Sequence, residues 1–432
     1  MEAQYASVWE KNSDVIPDKI ALICGDNEVT WREYDQRASK LATLLTNAGL
    51  GDDSKVGLYL HNSNEYLESQ YSVFKIKGVP INVNYRYKEE ELIYLLENSD
   101  SEAIFYQSCY AEQIASIKDK LPKVKLYIQV DDKTNETLDF AQDYESAISE
   151  CQPMERQDRS EDNIYMLYTG GTTGMPKGVM YTHGGFVNSM LKTLKGMGVD
   201  VPDELADIKD TILNLHENGQ LAKSFVACPL MHGTGMWLGG FLSHLLGGCV
   251  VTTPNLGLDT QLLWKEVERV GITNIIIVGD SFAKPMVKEL DRAVAENKPY
   301  NLETLKLIYS SGVMFSADVK ASLLDHHDMV LMDAMGSSEG GMGSSVSTRA
   351  DGAATAKFRL NPGVVVVSDK GEEVIPGSGV RGLIGTSGLV PEGYYKDKEK
   401  SDATFKEFNG TRYSFPGDYA IVEADGTITL LG

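Results

Sequence analysis

The sequence predicts an α/β protein: two helix-covered, mostly parallel sheets packed together, plus a small antiparallel β subdomain. Three observations carry this. Over the first two-thirds of the chain, short apolar runs alternate with segments whose apolar residues recur at helical spacing, the pattern of parallel strands joined by helices. Beyond about residue 355 the texture changes to short strands separated by turn residues. The length, 432 residues with 42% apolar side chains, is enough for more than one core at roughly 100–200 residues per domain.

A first α/β lobe is expected over residues 1–160. Thr30-Trp31-Arg32-Glu33 has the form of a capping box, in which two side chains each satisfy a free amide at a helix start. Tyr34, Ala38, Leu41, Leu44 and Leu45 then keep a helical stripe up to Gly49. Residues 55–60 read as a strand, 65–77 as a helix, 79–83 as a strand, 89–96 as a helix, and 103–106 and 124–130 as strands. A second lobe is expected over 161–354, with strands at 163–169, 225–230, 249–253, 275–279, 305–310 and 330–332; the boundary leaves room for interwoven lobes. Residues 200–222, polar and acidic, read as a surface excursion.

Residues 235–253 lack Asp, Glu, Lys and Arg and could mimic a membrane span. Five glycines, His244 and the Gly247-Gly248 break favour a buried helix over 236–246 followed by a strand. The small β subdomain is expected over 355–432, with strands at 364–367, 380–384, 419–422 and 427–430, one helix, and a hairpin turn at Asp425-Gly426.

The net charge of −22 disfavours nucleic acid and anionic membrane as partners, because both need a basic footprint. Five cysteines without close spacing give neither a zinc pattern nor a disulfide framework. They read as buried free thiols of a reducing, cytoplasmic setting. Met1-Glu2-Ala3-Gln4 shows no basic or apolar leader, so no signal peptide is expected.

The chemistry concentrates in Tyr168-Thr169-Gly170-Gly171-Thr172-Thr173-Gly174-Met175-Pro176-Lys177-Gly178. Glycines let backbone amides converge on an anion, threonine hydroxyls donate to phosphate oxygens, and the lysine adds a point charge. In a chain this acidic, such a run is an anion site. It is not a Walker A loop, which needs Gly-Lys-[Ser/Thr] opening a helix. Here Pro176 precedes Lys177, Gly178 follows it, and Val179-Met180-Tyr181-Thr182 favours a strand, so a strand–loop–strand clamp is expected. A P-loop NTPase or kinase is thereby disfavoured.

This run resembles the phosphate loop of the adenylate-forming enzymes: acyl- and aryl-CoA synthetases, luciferases and peptide-synthetase adenylation domains. The resemblance covers the whole chain, because further motifs follow in the family's order. It implies cofactor contacts from Thr169, Gly170, Gly171, Thr172, Thr173, Gly174 and Lys177, with Thr172 and Lys177 also in catalysis. Met335-Gly336-Ser337-Ser338-Glu339, expected just after the 330–332 strand, resembles the segment that receives the nucleotide, with Asp333 upstream and Glu339 as magnesium ligand beside Thr172. A carboxylate and phosphate oxygens suit Mg²⁺. Position 335 usually carries a tyrosine that stacks on adenine. Ser310-Ser311-Gly312-Val313-Met314 resembles the adenine-side loop, contributing Gly312 and Val313. Phe415-Pro416-Gly417-Asp418 resembles the ribose clamp, with Asp418 accepting both hydroxyls and Pro416 replacing the usual threonine. Pro229-Leu230-Met231-His232-Gly233 resembles the motif lining the acyl and thiol channel; His232 either orients the substrate carboxylate or caps the helix that follows. His183 reads as a helix-start histidine.

The function implied is two-step: carboxylic acid and Mg·ATP give acyl-AMP and pyrophosphate, then coenzyme A displaces AMP to give the thioester. Pro80-Ile81-Asn82-Val83-Asn84-Tyr85-Arg86-Tyr87 and the loop variants look most like bacterial fatty acyl-CoA synthetases, and among them the branch acting on bulky or sterol side-chain acids. A small or aromatic acid CoA ligase is the alternative, and a binding-only chain a second. Met231, Met236, Trp237 and residues 312–314 are candidate walls of an acyl pocket. The partners expected are these small molecules, with room for a homo-oligomer. The family continues past a hinge into a mobile domain carrying a catalytic lysine. The sequence stops at Thr429-Leu430-Leu431-Gly432, so a truncated, nearly inactive large domain is expected.

Overall fold

The structure, a computed structural model, describes residues 2–170, 174–353 and 358–431. The chain forms two compact units, one of residues 1–221, 229–232 and 240–256, the other of residues 222–228, 233–239 and 257–432.

The first unit contains an all-parallel five-stranded sheet in the order Val79–Asn82, Lys55–Tyr59, Ser101–Gln107, Leu126–Val130, Gln142–Asp143. Lys55–Tyr59 is buried along its whole length, which is why it reads as a continuous apolar run. Ile20–Cys24 pairs antiparallel with Asn27–Thr30 and parallel with Cys249–Thr252. The capping box forms as expected: the Thr30 hydroxyl accepts from the Glu33 amide, and the Glu33 carboxylate accepts from the Thr30 amide. The bond from the Thr30 amide to the carboxylate, then one from the Thr30 hydroxyl, lower the Glu33 pKa.

An aromatic core fills the unit. Tyr5 stacks on Phe241 at 4.1 Å between ring centroids, and Trp9 meets Tyr71 edge-on at 5.1 Å. Beside it, Glu10 accepts from both Arg159 and Lys75, and Lys75 also donates to Asp35 at 2.6 Å. Buried charges of this kind are tolerable only when each is paired. The Arg159 bonds tie down the segment that runs into the strand Ile164–Thr169.

In the second unit, Lys223–Val226, Asn274–Ile277, Leu307–Ser311 and Val330–Ser337 run parallel. The same sheet then turns antiparallel through Gly340–Ser347, Phe358–Leu360, Thr427–Leu430, Tyr419–Val422 and Arg381–Thr386. The Asp425-Gly426 turn is present, with Gly426 at φ +78°. The α/β class with a small antiparallel part is therefore met.

Three details differ from the sequence expectation. Residues 200–222 lie at the surface, as expected, but include a helix, Ile208–Glu217, anchored by the fully buried Ile208 and Ile212. The strand expected at 330–332 continues to Ser337 and folds back as a hairpin. Cys24 and Cys109 are only partly buried, although none of the five cysteines forms a disulfide. Residues 235–253 behave as expected, with a wide π-helical stretch Thr234–Phe241, a turn of helix Leu242–His244 and the strand Cys249–Thr252. Among the described residues, no helix is long and apolar enough to cross a membrane.

Candidate active site

Ile164–Thr169 and Lys177–Thr182 pair antiparallel, with Thr169 opposite Lys177 as the last pair before the loop. The two strands of the expected strand–loop–strand unit are thus in place. Gly170 and Gly174 are exposed, while Gly171, Thr172 and Thr173 lie outside the described residues. Gly178 fixes the exit from the loop: a Cβ there would lie 2.5 Å from Met166 Sδ and 2.8 Å from the Tyr168 ring. The Tyr168 ring crosses this gap, and its hydroxyl donates to Asn98 Oδ1 at 2.7 Å.

His183 opens the helix His183–Gly196 behind the hairpin, as expected. It is fully buried, its Nδ1 accepts from the Tyr5 amide, and burial lowers its pKa to about 3. It is a neutral core residue.

Residues 229–232 of the same unit are held from the parallel sheet. The Leu230 amide donates to Asn62 Oδ1 at 2.7 Å, and the Met231 carbonyl accepts from Asn82 Nδ2 at 2.7 Å. The His232 ring keeps accessible surface, yet desolvation first, and the Arg86 charge second, lower its pKa. His232 is accordingly a neutral imidazole at pH 7, able to donate or accept a hydrogen bond.

In the second unit, Gly336 and Ser337 end one arm of a hairpin and Ser338-Glu339 form its turn, rather than a loop beyond the strand. Gly340, at φ +156°, closes the turn where a Cβ would meet Thr386 Oγ1 at 2.3 Å. The Glu339 amide donates to Ser337 Oγ at 3.1 Å, and Glu339 Oε1 accepts from the Tyr394 hydroxyl at 2.8 Å. Burial first, and the Glu339 charge second, raise the Tyr394 pKa well above its ordinary value, so it stays a donor. Asp418 is half-buried, and its pKa is raised by desolvation and then by Glu339. The two carboxylates therefore share one electrostatic environment.

Alternation along Val330–Ser337 puts Asp333 and Met335 on its buried face. Asp333 meets Lys320 Nζ at 3.3 Å, and burial raises its pKa to about 6 against the opposing pull of Lys320. Met335 joins the apolar core with Met342, Ile384 and Ile428. Gly312, at φ +95°, and Val313 are exposed on the loop after Leu307–Ser311. That loop is strapped to the start of the helix Gly279–Ala295, where the Asp280 amide donates to the Met314 carbonyl at 2.9 Å.

The sequence profile of the AMP-binding enzyme family matches residues 9–395. The chain belongs to the AMP-binding enzyme family. Among curated members it is similar to the 3-oxocholest-4-en-26-oate–CoA ligase of Rhodococcus rhodochrous, 38% identical over 100% of this chain and 78% of the relative. It is also similar to a medium/long-chain-fatty-acid–CoA/3-oxocholest-4-en-26-oate–CoA ligase of Mycobacterium tuberculosis, 36% identical over 99% of this chain and 77% of the relative. The expected likeness to fatty and sterol side-chain CoA ligases is borne out. Among solved structures, an anthranilate CoA ligase with anthranoyl-AMP matches with TM-score 0.81 at 20% identity, covering 100% of this chain and 79% of that one. ATP-bound MatB from Rhodopseudomonas palustris matches with TM-score 0.80 at 20% identity, covering 100% and 79%. These two show the shared family fold.

Two residues of this family member were not singled out by sequence as site residues. Tyr394 reaches Glu339 from 55 positions away, and Asn82 reaches Tyr168 and Met231 from 86 and 149. The only sequence signal was the 80–87 run, which contains Asn82 without marking it.

Proposed function

We propose that this chain activates a carboxylic acid with a large apolar body, a fatty or sterol side-chain acid, to acyl-AMP and then to acyl-CoA. The observation that carries the reading is the likeness over the whole of this chain, at 38% identity, to a ligase named for a sterol side-chain acid. In the first step a carboxylate oxygen bonds to the α-phosphorus of ATP and pyrophosphate leaves. In the second the thiol sulfur of coenzyme A bonds to the acyl carbon, its proton passes to solvent, and AMP leaves with the bonding pair.

Thr169, Gly170, Gly174 and Lys177, with Gly171, Thr172 and Thr173, are assigned to the triphosphate. The pairing of Thr169 with Lys177 supports this, because it brings the two ends of a glycine-rich segment together beside one cation-bearing residue. Asp418 is assigned to the ribose; Gly312, Val313, Gly336, Ser337 and Ser338 to the adenine side; and His232 to the acid. Among the described residues no group of three or more His, Cys, Asp or Glu is placed to hold a metal. One carboxylate, Glu339, together with phosphate oxygens fits Mg²⁺, which keeps most of its shell from water and substrate. Magnesium would supply charge neutralisation on the phosphates. The lowered pKa of His232 supports a neutral hydrogen-bonding role beside an anionic acid. Asp333 and Met335 bear on the nucleotide through the strand that carries them, since both side chains face inward.

A panel of acids of increasing chain length, followed by sterol side-chain acids, tests the reading. Thermal protection by each acid with Mg·ATP, and pyrophosphate release, should rise with apolar size. Preference for acetate or benzoate would overturn it.

A further inference from the structure

We propose that Asn82 is a positioning residue that couples the phosphate loop to the His232 segment, so that nucleotide and acid bind cooperatively. This rests on the adenylation reading above. Asn82 ends the parallel strand Val79–Asn82. Its amide makes three hydrogen bonds: Nδ2 donates to the Tyr168 carbonyl at 2.9 Å and to the Met231 carbonyl at 2.7 Å, and Oδ1 accepts from the Tyr168 amide at 2.7 Å.

This use of the group is specific. Tyr168 pairs with Gly178 on one side, and its amide and carbonyl on the other side need a partner carrying one acceptor and one donor. A primary amide offers both in one plane, and so takes the place of a peptide group of a neighbouring strand. The amide's second N–H is left over, and it goes to Met231. Aspartate has no donor, serine has one hydroxyl, and leucine has neither.

The consequence follows from covalent geometry. Tyr168 is bonded to Thr169, the last strand residue before the loop, and Met231 is bonded to His232. One planar side chain therefore fixes the backbone one residue upstream of each candidate group. The anchor itself stands on a strand buried in the sheet, paired with Lys55–Tyr59. Asn62, past the end of that neighbouring strand, holds Leu230 and completes the frame on the His232 side. Hydrogen bonds tolerate only small departures in distance and angle. A nucleotide that settles Tyr168 and Thr169 settles Asn82, and Asn82 settles Met231. The same path runs backwards, because coupling between two ligands is reciprocal.

The test measures calorimetric affinity of the 432-residue chain for a long-chain fatty acid, with and without a saturating non-hydrolysable Mg·ATP analogue. Wild type should bind the acid at least about fivefold more tightly with the nucleotide, the low end of ordinary coupling. Asn82→Leu, which keeps the volume and removes all three bonds, should bring that factor to about one. Asn62→Ala, which removes the Leu230 bond and leaves the three Asn82 bonds in place, should weaken acid binding with and without nucleotide and leave the nucleotide affinity unchanged. Should Asn82→Leu not fold, the wild type carries the test: the Mg·ATP analogue alone should slow hydrogen exchange at Leu230 and Met231. Wild type that binds both ligands without coupling, an Asn82→Leu chain with full coupling, or exchange at 230–231 indifferent to nucleotide would overturn the inference alone. Wild type that binds neither ligand would overturn the adenylation reading and this inference with it.

Discussion

Removing one oxygen from Tyr394 tests the assignment of Glu339. In Tyr394→Phe the ring keeps its place against Phe405, 5.1 Å away between centroids, and the 2.8 Å bond to Glu339 Oε1 is lost together with the hydroxyl's hydrogen bond with Thr404. A hydrogen bond to a charged group is worth about 1.5–3 kcal/mol. Glu339 is only partly buried, so water takes over some of that bond and the lower end applies. About 1.5 kcal/mol is close to a tenfold change in an equilibrium constant. If a fixed Glu339 carboxylate receives the metal, that loss appears in the affinity for Mg·ATP and in its magnesium dependence. Affinity for AMP without metal should change by less than about threefold, since Asp418, the carboxylate proposed for the ribose, keeps its side chain. The melting temperature should fall by about 2–4 °C per kcal/mol for a unit of this size. Calorimetric titrations of Mg·ATP at several magnesium concentrations, with AMP as control, read all of this. A variant that melts lower yet binds Mg·ATP with unchanged affinity and magnesium dependence would show that the bond is purely structural, and would remove Glu339 from metal binding.

Other expectations follow from the same geometry. Gly178→Ala drives a methyl group against Met166 and the Tyr168 ring, so ATP affinity should drop with little change in the first unit's circular dichroism; unchanged affinity would show that the hairpin absorbs the clash. Asp418→Asn should weaken AMP binding about tenfold or more, by loss of charge-assisted bonds to the ribose, and equal affinity in both chains rules out the ribose role. Acid stability should depend on His183 and His244, whose folded pKa values are held near 3 and 4 by burial. Below about pH 6.5 the unfolded state takes up a proton that each folded imidazole refuses, so stability falls as pH falls, by about 1.4 kcal/mol per pH unit per histidine. His183→Asn, which keeps an acceptor for the Tyr5 amide, should flatten the decline of melting temperature between pH 6.5 and 4.5. Identical slopes in the two chains would show that His183 is not the source.

What could be read from the sequence follows the physics of each element. Parallel strands are buried on both faces, so Lys55–Tyr59 and Leu126–Val130 announce themselves as apolar runs. The capping box and the Asp425-Gly426 turn are local devices, legible within four residues. The hairpin of Ile164–Thr169 with Lys177–Thr182 was legible because its loop is glycine-rich and its exit, with Pro176 before Lys177, cannot open a helix. The hairpin Val330–Ser337 with Gly340–Ser347 was not legible. Its second arm, Gly-Gly-Met-Gly-Ser-Ser-Val-Ser, has almost no strand propensity and is held by backbone pairing with a long neighbour. The helix Ile208–Glu217 was hidden because only Ile208 and Ile212 of its stripe are buried. Asn82 and Tyr394 depend on which distant backbone or side chain comes opposite them, a register that no local pattern records.

The crowded turn around Glu339 also predicts where substitutions can accumulate. An added methyl group at Gly336 would sit 2.8 Å from the Gly340 carbonyl oxygen, and one at Gly340 still closer to Thr386. One helix and one strand further back along the chain, Val313 and Met314 are 52% and 60% exposed and meet no such wall. A saturation library of this chain, selected for retained nucleotide binding, should return almost only wild-type residues at positions 336 and 340 and a broad mixture at 313 and 314. Any change of ligand preference obtained by selection would then have to be written in the side chains of the exposed loop, while the hairpin stays constant from one variant to the next.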